Sequence, residues 1–153
     1  VYGVDAPYPL VAACVDGGPA DERVVAEARA LAGPEDAELV LVHVASVPAE
    51  LGEGIDASWI GVSVSPDPTP FVEAGRARLE AAMALAPEAE GVLLDGGDPG
   101  AAICDWAAER KVDLIVAGAH RGRIERLTLG SFAGFVAHNA PCPVLLVRPI
   151  PHR

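Results

Sequence analysis

Apolar residues fall along this chain in short blocks. Residues 10–15 (LVAACV) form an unbroken apolar run that stops at Asp16-Gly17-Gly18-Pro19, after which Val24, Ala28, Leu31 and Ala32 recur at helical spacing. The pattern predicts strand, turn, helix. It returns with LVLVHV at 39–44, and Phe71, Val72, Leu79, Met83 and Ala86 lay out the apolar stripe of a second helix. VLLD at 92–95 leads into Asp98-Pro99, an N-cap and first-turn pair for a helix carrying Ile103, Trp106 and Ala107. DLIVAG at 113–118 and VLLV at 144–147 complete the strands, and a last helix is expected to begin at Ser131. Short strands apolar on both faces, separated mostly by amphipathic helices, predict an α/β fold with an open five-stranded parallel sheet, doubly wound. Parallel strands need crossovers, and helical crossovers cover both faces of the sheet.

One stretch breaks this rhythm. Residues 46–69 (SVPAELGEGIDASWIGVSVSPDPT) lack helical periodicity and outrun the usual loop, so they are expected to form a flap or lid, with Trp59 within it. No internal repeat or low-complexity tract appears, and 153 residues suit a single domain spanning 1–153.

Composition narrows the functional classes. Apolar residues make up 51% of the chain, yet no uninterrupted apolar stretch approaches the roughly 20 residues a membrane-spanning helix needs. No secretory leader pattern is present, so a soluble, cytoplasmic protein without membrane association is expected. A net charge of -11 argues against nucleic acid as a partner, while leaving room for a small anion at a local basic patch. Cys14, Cys104 and Cys142 are widely spaced and lack metal-ligand spacing; they are expected as buried thiols, and no metal site is expected.

That basic patch is Arg121, Arg123 and Arg126, set between Gly118, Gly122 and the pair Gly130-Ser131. In an open parallel sheet, ligands sit beyond the carboxyl ends of the strands where the strand order reverses. Asp16 follows the first strand, Val44 ends the second apolar run, and Gly118 to Ser131 joins the fourth strand to a helix. Glycine lets a backbone approach a phosphate, and a helix start offers unpaired N–H groups and the positive end of a dipole. Ser131 either caps the helix or bonds a phosphate oxygen. The arginines either face phosphates or form a solvated surface beside Glu125. Other nucleotide sites fit poorly. The single lysine, Lys111, stands outside any Gly-x4-Gly-Lys-Ser/Thr loop, and Asp16-Gly-Gly-Pro-Ala is not the GxGxxG turn of a dehydrogenase. A receiver domain wants a lysine after its last strand, where Arg148-Pro149 stands. His43, His120 and His138 are scattered and read as structural, and no catalytic residue is assigned.

The segment Gly118-Ala-His-Arg-Gly-Arg-Ile-Glu-Arg-Leu-Thr-Leu-Gly130-Ser131, followed by a helix and by His138-Asn-Ala-Pro-Cys-Pro-Val-Leu-Leu-Val-Arg148, resembles the C-terminal signature of the universal stress protein family. The likeness covers nearly the whole chain, because Asp16, His43-Val44, Asp98-Pro99-Gly100 with Ile103, and Asp113 to Gly118 fall in the family's order. It implies an adenine nucleotide alpha hydrolase-like sheet of strand order 3-2-1-4-5. It also implies ATP, alone or with magnesium, at the sheet's carboxyl edge. Asp16 would meet the adenosine and the Val44 backbone the adenine, while Gly118, Gly122, Gly130 and Ser131 surround ribose and phosphates. A homodimer through Val144–Val147 is likewise implied. The chain departs from the ATP-binding pattern in its loop, with three residues between Gly118 and Gly122 and seven between Gly122 and Gly130. The loop is one residue short, and Arg121 stands in place of the pattern's second glycine. Either its side chain blocks the phosphate's seat, or the guanidinium groups of Arg121 and Arg123 hold the phosphate themselves. The expectation is a regulatory ATP-binding module acting in stress response, at most a slow ATPase. The alternative is a dimeric module that binds no nucleotide and acts through protein contacts.

Overall fold

The computed structural model describes residues 7–33, 37–46, 55–57, 62–64, 67–119 and 129–148. Their elements run β1 (Leu10–Cys14), α1 (Asp21–Ala32), β2 (Glu38–Ser46), β3 (Ile55–Ala57), β4 (Val62–Val64), α2 (Thr69–Met83), β5 (Glu90–Gly96), α3 (Pro99–Arg110), β6 (Leu114–Gly118), α4 (Ser131–Asn139) and β7 (Val144–Val147). Five strands form one parallel sheet in the order β5-β2-β1-β6-β7. Numbered within that sheet, this is the expected 3-2-1-4-5.

Alternate residues of each strand feed opposite faces of the sheet. Val11, Ala13, Leu39, Leu41, Leu114 and Val116 pack under α1 and α2, which contribute Val24, Val25, Ala28, Leu79 and Ala82. Ala12, Val40, Val42, Ile115 and Ala117 pack on the other side with Ile103 and Ala107 of α3 and Val136 of α4. Among the described residues two helices on each face make the sheet doubly wound, and β1, Leu39–Ala45 of β2 and Leu114–Ala117 of β6 are buried.

Local chemistry sets the helix starts. Asp98 caps α3 by accepting the N–H groups of Gly100 and Ala101 at 3.0 and 3.3 Å, and Pro99 occupies the first turn, where its missing N–H costs nothing. At α4 the cap position belongs to Gly130, with no side-chain cap, so Ser131 is the first helical residue and the capping alternative for its hydroxyl is not taken. The buried face of α2 includes Gly75, an unforeseen position. Its bare Cα lets the helix lie against Ala45, His43 and Leu93.

The expected flap lies largely outside the described residues, including Trp59. Its described part holds two short antiparallel strands, β3 and β4, paired from Ile55↔Val64 to Ala57↔Val62. The strand expected over 39–44 continues to Ser46, because β2 keeps β5 as a partner as far as Ser46↔Gly96. Cys14 and Cys104 are buried, whereas Cys142 is only half-buried. Among the described residues, no helix is long and apolar enough to cross a membrane.

Candidate functional site

The strand order reverses beside β1: the chain first winds outward through β2 to β5, then returns to β6 on the other side. Beyond the carboxyl ends of β1 and β6, neighbouring connections leave in opposite directions and open a cleft. It is lined by Cys14 at the end of β1, Val15 and Asp16 after it, Val42 and Val44 of β2, Gly118 of β6, Ala20 and Asp21 at the start of α1, Ile103 of α3 and Phe132 of α4. Asp16, Val44 and Gly118, three residues singled out by sequence, therefore share one cavity.

Asp16 is held by a tight turn. Gly17 takes a φ of +79°, open to glycine at little cost, and the Gly18 N–H donates to Asp16 Oδ1 at 2.7 Å. A Cβ on Gly18 would press on that same oxygen, so both glycines serve the placement of the carboxylate. Asp21 closes the turn from the other side. Its Oδ1 accepts the Asp16 N–H at 3.0 Å and its Oδ2 the Gly17 N–H at 2.8 Å. Burial, together with the Asp16 carboxylate beside it, outweighs these bonds and pushes the Asp21 carboxyl up to about 6.

Val44 reaches the cleft through its backbone edge. The β1–β2 ladder ends at Cys14↔Val42, with one further bond from the Val15 N–H to the Val42 carbonyl at 3.0 Å. Two residues on, Val44 turns the same edge as Val42 toward the space where β1 has stopped. The strand end is steadied by His43, 3% exposed, whose Nδ1 lies 2.6 Å from the Val15 carbonyl. A carbonyl only accepts, so Nδ1 carries the proton. Underneath, burial pushes the Cys14 thiol up to about 12, which keeps this wall of the cleft neutral.

The glycine loop is anchored at both ends. Ala119 N–H donates to the Val147 carbonyl at 2.8 Å, and Gly130 N–H donates to the Ala119 carbonyl at 3.1 Å. The last residues of β6 and the first turn of α4 are thereby adjacent, with Ser131 exposed and Phe132 turned into the cleft. Arg121, Gly122, Arg123 and Arg126 lie outside the described residues. Sequence reading passed over Asp21 and Phe132. Asp21 stands five residues after Asp16, and its only signal was being a second carboxylate beside the same glycine pair.

An open parallel sheet with a cleft at its reversal point defines the doubly wound class of α/β proteins, whose ligands sit at that edge. The universal stress protein family matches residues 7–148, and the chain belongs to that family. A universal stress protein of Thermus aquaticus is 38% identical over 143 residues, covering 87% of this chain and 93% of its own. Among solved structures of similar fold, a universal stress protein in complex with cAMP has a TM-score of 0.58 at 24% identity, covering 94% of this chain and 98% of its own. A family member from Arabidopsis thaliana with AMP bound has a TM-score of 0.56 at 18% identity, covering 92% of each chain.

Proposed function

We propose that this chain is a regulatory module that binds an adenine nucleotide, ATP in the first instance, at the carboxyl edge of its sheet. The observation that carries the reading is the convergence of Asp16 just after β1, Val44 of β2 and Gly118 of β6 on one cleft at the reversal point. The cAMP and AMP held by two proteins of the same fold support it. In this reading the backbone edge of Val44 meets the base, and Asp16 accepts hydrogen bonds from the nucleoside. The phosphates lie toward Gly118, Gly122, Gly130 and Ser131, where the first-turn N–H groups and the dipole of α4 favour an anion. Arg121 and Arg123 add charge-assisted bonds to the phosphates, and magnesium accompanies the triphosphate.

Each role has its own signature. Replacing Arg121 or Arg123 by Ala is expected to weaken ATP about ten- to a hundredfold while leaving adenosine nearly unchanged, since such a bond contributes about 1.5–3 kcal/mol. Asp16→Ala is expected to weaken both ligands alike. Calorimetry on the three variants checks this, and equal losses for ATP and adenosine in the arginine variants would remove the phosphate role.

The shortened loop favours a second reading, in which the module has lost its nucleotide and acts through protein contacts. Both readings include a homodimer. Strand β7 lies at the end of the sheet order with Val144, Leu145 and Leu146 only half-buried, and an open edge of this kind accepts a second copy across a two-fold axis.

A further inference from the structure

Asp21 has no part in the roles given so far, yet it touches the turn that presents Asp16 to the cleft and lines that cleft itself. Its two oxygens are engaged by consecutive backbone N–H groups, and its carboxyl also comes within hydrogen-bonding reach of the Asp16 carboxyl. Two carboxyl groups in such contact, partly withdrawn from water, favour holding one proton between them. That proton occupies an oxygen lone pair which a ligand's N–H or O–H would otherwise use.

From this geometry we infer that Asp21 is the positioning residue of the cleft, and that it couples nucleotide binding by Asp16 to the release of one proton into solvent. The inference rests on the nucleotide reading above and concerns its regulation. An empty cleft keeps the proton in mildly acidic solution. A nucleoside donor that engages Asp16 needs the ionised pair, so the proton leaves as the ligand enters. Binding then weakens as the pH falls. The raised Asp21 carboxyl, at about 6, places the change between pH 5 and 7.

Other described ionisable groups surround the pair: from β2 the buried His43 ring bonds the Val15 carbonyl, one residue before Asp16. Cys14 below it stays protonated, with its thiol pushed up to about 12. The Arg78 side chain of α2 lies across Gly17. Glu22, the next residue of α1, is exposed. From α3 and α4 the cleft is faced by the uncharged Ile103 and Phe132.

The experiment is calorimetric titration of the whole protein with AMP and with adenosine from pH 5 to 8, in two buffers of different ionisation enthalpy. About half a proton is expected to be released per ligand near pH 6, approaching one at pH 5, and affinity about tenfold lower at pH 5 than at pH 7.5 for both ligands. Adenosine carries no phosphate, so a shared slope assigns the effect to the nucleoside end. Asp21→Asn mimics the protonated form and is expected to bind at every pH with the weak affinity of the wild type at pH 5. Asp21→Ser, which also cannot hold the proton, guards against misfolding of the first variant and is expected to flatten the same profile. Level wild-type binding from pH 5 to 8 would overturn the proton linkage and leave the nucleotide site standing. A wild-type slope that persists in both variants would remove Asp21 from it. Absence of binding at every pH would overturn both.

Discussion

The residues after β1 work as a unit. Asp16, Gly17, Gly18 and Asp21 close a ring of short hydrogen bonds in which two carboxylates face one small turn. This arrangement costs stability as it ionises. The Asp21 carboxyl in the folded protein is raised from 3.8 to about 6, so its favourable contribution is complete below about pH 3.8 and is lost as the pH rises through about 6. Asp21→Asn keeps one acceptor oxygen for the two backbone N–H groups, a cost that is the same at every pH, so its stability relative to the wild type is expected to rise from pH 4 to pH 7.5 by on the order of 1 kcal/mol after discounting for solvent at this half-buried group. Thermal unfolding at the two pH values checks the sign. No rise in the variant's relative stability between the two pH values would contradict the assigned strain. Asp16 was legible in the sequence because it stops an apolar run in front of two glycines. Asp21 was not, since a carboxylate in the first turn of a helix is commonplace for reasons of the helix dipole alone.

Among the elements, α3 was read most fully, because an N-cap, a proline and a periodic apolar face all indicate the same start. Asp98→Ala is expected to cost about 1 kcal/mol through loss of the cap. Ile103, 1% exposed and at the cleft wall, is expected to cost about 2–5 kcal/mol when replaced by Ala. Denaturant unfolding measures both, and equal effects would contradict the separation of surface cap from core. The buried Gly75 of α2 and the close contact of Gly100 with the Phe135 ring escaped sequence reading. Both depend on which helices meet, and an apolar stripe does not carry that information. The extension of β2 to Ser46 was missed for a similar reason: its length is fixed by β5, its neighbour across the ladder.

At the scale of the molecule, periodicity alone predicted parallel strands and two helical layers, while the strand order came from the resemblance to the family. Which strand neighbours which depends on contacts distant in sequence, and local patterning is nearly silent on them. The order has a consequence for assembly. With β7 at one end of the sheet, light scattering at micromolar concentration is expected to give the mass of a dimer, and a monomer alone would contradict pairing through that edge.

The cleft at the reversal point is the central claim, and its measure is direct titration of the wild-type protein with ATP at neutral pH, with and without magnesium. Saturable binding of one ATP per chain is expected, competed by AMP and by adenosine, because all three present the same nucleoside to Asp16 and Val44. No heat of binding up to millimolar nucleotide under either condition would contradict it, and would leave the protein as a module of protein contacts.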